Sequence, residues 1–144
     1  MNKVGFRKHL YGLFILLVIL SCKNPTSDNV KGQQYFVEGE QLYIKHCSNC
    51  HQKSGKGLAR VYPPLAQSDY LNKNFSDVIC LMKYGKQGEI LVNEVSFNKP
   101  MPGIPSLTEL EIAEIATYIY DKWGDNPGLI ETQEVGKILE KCSR

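Results

Sequence analysis

Cys47-Ser48-Asn49-Cys50-His51 is the stretch of this chain with the most chemistry in it. Two thiols separated by two residues fall on the same side of a single turn, and an imidazole follows at once. Such a pair can add across the two vinyl groups of a haem and hold it by thioether bonds. His51 is then free to face the iron as the proximal ligand. Two other uses of C-x-x-C compete with this one. A structural zinc site needs four Cys or His ligands at closed spacings. The remaining candidates are His9, His46, Cys22, Cys80 and Cys142, and they form no second C-x-x-C or H-x-x-x-H pair. A redox dithiol wants a preceding strand inside a βαβ pattern, which the sequence does not offer. Covalent haem is the reading that fits.

The residues before the motif divide into an export segment, a tether and a helix. Lys3, Arg7 and Lys8 form a positive start, and Leu10 to Leu20 is an apolar run too short for a comfortable membrane span. Ile19-Leu20-Ser21-Cys22 closes it and resembles a bacterial lipobox, whose Cys is acylated and becomes the new N-terminus. Residues 1–21 are therefore expected to be a signal peptide, with Cys22 carrying lipid on the periplasmic side of a bacterial membrane. An uncleaved anchor with a chance Cys is the alternative. Residues 22–33 are polar with Pro, Ser, Asn and Gly, and are expected to be a flexible tether. Tyr35–His46 then reads as a first helix, with Phe36, Leu42, Tyr43 and Ile44 apolar and Glu38, Glu40 and Lys45 outside.

After the motif, residues 52–62 form a Gly- and Lys-rich loop ending at Pro63-Pro64-Leu65. Asp69–Leu71 is expected to be a helical turn. Phe75–Tyr84 is expected to be a helix capped by Asn74 or Ser76 and closed by Gly85, with Phe75, Val78, Ile79 and Met82 forming an apolar stripe. Gly88–Pro105 is rich in Pro and Gly with short β-like runs, so it is expected to be an extended loop. Thr108–Trp123 is the clearest helix. Ser106 or Thr108 caps it, Glu109 and Glu111 lie in its first turn, and Leu110, Ile112, Ile115, Ala116, Ile119 and Trp123 form its stripe. Beyond it, Val135, Ile138 and Leu139 suggest a short amphipathic helix within a C-terminal extension, residues 126–144. Cys80 lies in an apolar helical stretch and is expected to be a buried free thiol. A disulfide to Cys142 is the alternative if the tail folds back on that helix.

Over residues 34–125 the chain resembles the class I c-type cytochromes. Gly39 and Tyr43 match the pattern that marks where the terminal helices cross, and Ile115 and Tyr118 match the pair packed against it. Pro63 and Leu65 match a Gly-Pro-x-Leu segment whose Pro carbonyl accepts from the proximal histidine; Tyr62 stands in place of the Gly. Met101-Pro102 matches the loop that supplies the second axial ligand. Gly88, Ile90, Val92, Asn93 and Asn98 match a bacterial form of that loop, with Glu94 and Phe97 in place of its Gly and Tyr. The resemblance implies an all-α fold of three to four helices around one covalently bound haem c, with iron held by His51 and Met101. It implies a one-electron carrier, not an enzyme, that serves an oxidase, a reductase or a quinol-oxidising complex. A gas-binding or sensing haem protein, in which Met101 is displaced, is the alternative. A peroxidase is a weaker one, since no distal His is evident. Met82, the only other sulfur of that type within the fold, reads as core.

Removing residues 1–21 leaves 14 basic against 15 acidic residues, so nothing argues for a nucleic-acid partner. Charge is unevenly spread all the same. Lys45 to Lys99 holds eight basic and four acidic residues, and Glu109 to Glu140 holds eight acidic and two basic. The lipobox-like end carries its own test: the mass of the native protein should show an acylated N-terminal Cys22. An intact Met1, or cleavage that leaves Cys22 unmodified, would rule that processing out.

Overall fold

The computed structural model describes residues 27–125 and 128–142. The chain divides into two compact units, Met1–Val30 and Lys31–Arg144. Of the first, the described residues are the opening turn of a helix; the remaining elements belong to the second. The helices are α1 (Ser27–His46), α2 (Ser48–His51), α3 (Asp69–Lys73), α4 (Phe75–Tyr84), α5 (Glu109–Trp123) and α6 (Thr132–Leu139). Four short strands lie between α4 and α5. They are β1 (Gly85–Lys86), β2 (Ile90–Val92), β3 (Val95–Phe97) and β4 (Met101–Pro102), with β1 antiparallel to β4 and β2 to β3. The fold is thus the expected helical one, and the β-like runs of the long loop are two small ladders. Among the described residues no helix is long and apolar enough to cross a membrane. The apolar run Leu10–Leu20 and the lipobox-like Cys22 lie outside them.

The centre of the fold is α5. Thr108 caps it through a full capping box: its Oγ1 accepts from the Glu111 N–H at 3.2 Å, and the Glu111 carboxylate accepts from the Thr108 N–H at 2.8 Å. From Ile112 to Tyr120 all but Glu114 are buried, on more than one face of the helix. Such all-round burial marks a helix covered from several sides. On one side α1 crosses it at Gly39, where an added Cβ would stand 2.0 Å from the Glu114 carbonyl oxygen and 2.9 Å from the Tyr118 Cβ. Only glycine allows that approach. Around the crossing Phe36 meets Tyr118 with ring centroids 5.2 Å apart, and Tyr43 packs on Tyr118 and Trp123 at 5.4 and 5.2 Å. Each such pair adds roughly 0.5–1.5 kcal/mol beyond its buried area. Leu110, assigned to the stripe on periodicity, is 43% exposed. It sits in the first turn of α5, ahead of the crossing.

The C-terminal extension is a packed part of the fold. Val135 is fully buried, Ile130 nearly so, and α6 lies against both α4 and α5. The Ile130 N–H donates to Thr117 Oγ1 at 3.0 Å, which gives a buried hydroxyl its partner. On the other side α6 meets α1, through the Lys31–Glu131 ion pair at 2.5 Å and a Tyr35–Thr132 hydroxyl contact at 3.0 Å. These contacts, 100 and 97 residues apart in sequence, anchor α1 at Lys31 and Tyr35. One correction concerns the same helix: α1 begins at Ser27, so residues 27–33, expected to be tether, are helical. Local composition is polar there, and the docking contacts begin at Lys31.

Cys80 and Cys142 form a disulfide with Cα atoms 5.8 Å apart. The expected free thiol at Cys80 is therefore corrected. Val78, Ile79 and Met82 of α4 go into the core, whereas Cys80 is only half-buried on the face met by the end of α6.

The β2–β3 hairpin turns at Asn93 and Glu94, both with positive φ (51° and 63°). Asn93 is well suited to this and is tied down: its side chain accepts from Asp69 N–H and donates to the Gln67 carbonyl, and its own N–H donates to the Asp69 carboxylate at 2.7 Å. That last bond holds the Asp69 carboxyl below the usual carboxylate range. Glu94 has no such aptitude, since a Cβ in the left-handed region costs about 1–2 kcal/mol.

Two measurements follow from these features. In the unreduced protein Cys80 and Cys142 should resist thiol labelling. Replacing both with Ser should lower the unfolding free energy in a denaturant titration by about 2–4 kcal/mol, because the bond closes a span of 62 residues. Labelling of both thiols would remove the cross-link from the fold. Glu94→Gly should act in the opposite sense and raise stability by up to about 1 kcal/mol; an unchanged or lower midpoint would mean that the turn is not strained at Glu94.

Candidate functional site

The attachment motif continues the helix that precedes it. The Cys47 N–H donates to the Tyr43 carbonyl at 2.8 Å and the His51 N–H to the Cys47 carbonyl at 3.0 Å, so α2 carries on the α1 hydrogen-bond ladder. Cys47 and Cys50 are free thiols, in contrast to the paired Cys80 and Cys142. They line two adjoining hollows that share His51, Pro63 and Met101. Cys47 lines a hollow with an empty volume of about 620 Å³, walled by Tyr43, Leu71, Val78, Met82, Ile115 and Ile119 among others. Cys50 lines a neighbouring hollow of about 510 Å³, with Tyr62, Lys86, Phe97, Lys99 and Pro100. Burial, and secondarily the nearby Cys50, pushes the Cys47 thiol up to about 12, so it is a protonated thiol at neutral pH.

His51 stands between the two hollows. Its Nδ1 lies 3.0 Å from the Pro63 carbonyl oxygen and donates to it, which leaves Nε2 with the free lone pair. Burial lowers the His51 pKa and the Pro63 carbonyl partly opposes this, so the ring is a neutral donor ready for a metal. Pro63 is held in place by its loop. The Leu58 N–H donates to the Tyr62 carbonyl, and the Leu65 and Ala66 N–H groups both donate to the Gly55 carbonyl at 2.7 and 2.9 Å. The Gly57 N–H returns to the His51 carbonyl at 3.0 Å. The Tyr43 hydroxyl donates to the Gln52 carbonyl at 2.7 Å, fixing the exit from the motif to α1.

Met101 reaches the same space from a segment fifty residues further along the chain. It lies on β4, opposite Lys86 of β1, and the next residues run back along the end of α4. There the two backbones nearly touch: a Cβ on Gly103 would stand 2.4 Å from the Tyr84 carbonyl carbon. The Ile104 N–H donates to the Met82 carbonyl at 3.0 Å. Met82 itself is 5% exposed and part of the central apolar cluster, as expected of a core residue, although it also lines the first hollow.

Of the residues singled out in the sequence, Cys47, His51, Pro63, Leu65 and Met101 line the first hollow, and Cys50, His51, Pro63 and Met101 the second. Cys22 lies outside the described residues. Sequence reasoning missed Ile90 and Val92 as walls, though their period-two spacing on β2 was the available signal. It also missed Ser68 and Tyr70. Ser68 is buried and is spent as the cap of α3, accepting from the Leu71 N–H at 3.1 Å, and Tyr70 donates to Asp77. The lining of the first hollow is almost wholly apolar, with two free thiols near at hand, one imidazole nitrogen and one thioether. This donor set and shape fit a haem held at Cys47 and Cys50. Among the described residues no cluster of three or more His, Cys, Asp or Glu is arranged for a bare metal ion.

Comparison with known proteins agrees. The cytochrome c family pattern matches residues 36–123. Cytochrome c-552 of Thermus thermophilus is 34% identical over 93 residues, which is 62% of this chain and 70% of that protein. For a second cytochrome c-552 of the same species the identity is again 34%, and the share of that protein is 62%. The cytochrome c subunit of the quinone-type alcohol dehydrogenase of Gluconacetobacter polyoxogenes is 30% identical over 123 residues, 81% of this chain but only 26% of that subunit. With more than half of its length matched and a cysteine pair, histidine and apolar hollow to suit, the chain belongs to the cytochrome c family, whose members bind covalently attached haem c with its iron.

Proposed function

We propose that this protein is a membrane-tethered, single-haem electron carrier in which His51 and Met101 are the axial ligands. The observation that carries the reading is that these two residues line both hollows together, with the Nδ1 of His51 already committed to Pro63. When bound, the haem supplies an iron that takes and gives one electron, and ligation by the His51 imidazole and the Met101 thioether would favour the ferrous state and raise its potential. The chain's own residues do the rest. Cys47 and Cys50 hold the group covalently, and the Pro63 carbonyl fixes the ring of His51. The apolar walls from α4, α5 and β2 exclude water. The Met101 arm is stiff, since Pro100, Pro102 and Pro105 restrict it and Gly103 packs on the end of α4. A stiff ligand arm keeps the two oxidation states alike in geometry, which suits rapid exchange.

Export and lipid attachment at Cys22 would hold the protein on the periplasmic side of a bacterial membrane, beside respiratory partners such as an oxidase, a reductase or a quinol-oxidising complex. The similarity to a dehydrogenase's cytochrome subunit supports a redox protein as partner.

The test is spectroscopic. The haem should be low-spin and six-coordinate in both oxidation states, with a sulfur-to-iron band at the red end of the ferric spectrum. Met101→Ala should abolish that band, lower the potential and open the ferrous iron to carbon monoxide; Met82→Leu should do none of these. Ready carbon monoxide binding by the unaltered ferrous protein would favour a gas binder, and an unchanged spectrum in Met101→Ala would remove Met101 as ligand.

A further inference from the structure

The arm that follows Met101 is fastened to the protein by backbone contacts and by a side chain that reaches across to it from α4. Lys83 lies in the last turn of α4, half-buried, directly after Met82. Its ammonium donates to two carbonyls of the arm, that of Pro105 at 2.7 Å and that of Leu107 at 2.5 Å, 22 and 24 residues further on. Neither carbonyl lies in a strand or helix whose ladder would satisfy it. Within the segment the Leu107 N–H turns back to the Ile104 carbonyl at 3.1 Å and Pro105 has no N–H to give, so the Pro105 and Leu107 carbonyls take their donor from Lys83. The backbone contacts lie on the Met101 side of the clamp: β1 pairs with β4, Gly103 packs on Tyr84 and Gly85, and the Ile104 N–H meets the Met82 carbonyl. The arm is thus held near Met101 by α4's backbone and at its far end by Lys83.

We infer that Lys83 is a positioning residue for Met101: its ammonium draws the far end of the arm onto the C-terminal turn of α4, and so sets how firmly the thioether is held in the haem hollow. The inference rests on the ligand role proposed for Met101 and adds a residue that nothing in the attachment motif or the Met-Pro pair points to. An ammonium or a guanidinium suits the task best. A single group must donate to two carbonyl oxygens at once, and a charged donor makes each bond shorter and stronger than a neutral one. It also sits where the last carbonyls of a helix favour a positive charge. Because Met82 and Lys83 are adjacent, the same helical turn that lines the hollow also holds the arm. Slack introduced at Lys83 is passed to Met101 along a segment with few free torsions, since Pro102 and Pro105 fix two of them.

The experiment compares haem-loaded Lys83→Met, Lys83→Arg and Met101→Ala with the unaltered protein. Three readouts are taken: the ferric sulfur-to-iron band on warming, carbon monoxide uptake by the ferrous form, and the far-ultraviolet circular dichroism melt. Lys83→Met should keep the helical spectrum at room temperature but lose the sulfur-to-iron band well below its melting temperature. It should also bind carbon monoxide roughly tenfold more readily, the size expected for losing charge-assisted bonds. Lys83→Arg, which can still donate to both carbonyls, should restore the band and the closed iron. If Lys83→Met does not accumulate folded, Lys83→Leu, which also lacks a donor, is read in the same way. Band loss that merely tracks the melt in Lys83→Met, or a band and carbon monoxide uptake identical to the unaltered protein, would overturn the positioning role while Met101→Ala still behaves as a ligand loss. An unchanged spectrum in Met101→Ala would overturn the ligand reading, and this one with it.

Discussion

The constraint on which the rest depends is the contact of α1 with α5 at Gly39. Gly39, Tyr43, Cys47 and His51 follow one another at intervals of four, and backbone bonds from Cys47 to Tyr43 and from His51 to Cys47 join the end of α1 to α2. Residues so spaced share one helical face. The face that touches α5 therefore also presents, turn by turn, an aromatic ring, a thiol and an imidazole to the hollow. Backbone contact at Gly39 fixes the depth at which α1 lies. Tyr43, wedged against Tyr118 and Trp123, fixes its rotation. The chemistry at His51 is placed by packing three turns away.

The opposite wall is built from α4, and that helix serves two faces. Val78, Ile79 and Met82 point inward, while Cys80 meets the end of α6. Its final turn holds the Met101 arm through the Met82 carbonyl and the close approach of Gly103. The hairpin between them is pinned by Asn93 to the start of α3, so that Ile90 and Val92 close the hollow from the side. Each wall is thus braced by an element distant from it in sequence.

What was legible in the sequence follows this division. The motif could be read because its chemistry is local, a thiol spacing followed at once by an imidazole. Pro63, Leu65, Met101, Gly39 and Tyr43 were legible through the resemblance to class I c-type cytochromes, whose short patterns they match. The bracing was not. Cys80 sits in an apolar run, and only the three-dimensional return of α6 brings Cys142 within bonding distance. The start of α1 looked like tether because the partners of Lys31 and Tyr35, Glu131 and Thr132, lie about a hundred residues away in sequence. Leu110 had the right period but stands before the point where α1 arrives. Periodicity tells which residues share a face, and it does not tell which face is covered.

The docking of α6 has a consequence for how the molecule opens. A short helix of eight residues would ordinarily fray, exchanging its amide hydrogens in brief local openings that leave the rest intact. Here its start is fixed to α1 through Glu131 and Thr132, its middle is buried at Val135, and its end is covalently joined to α4. It cannot lift from one end without disturbing elements that carry the hollow. Its amides should therefore exchange only when α4 and α5 also open, so that the tail belongs to the same cooperative unit as the core.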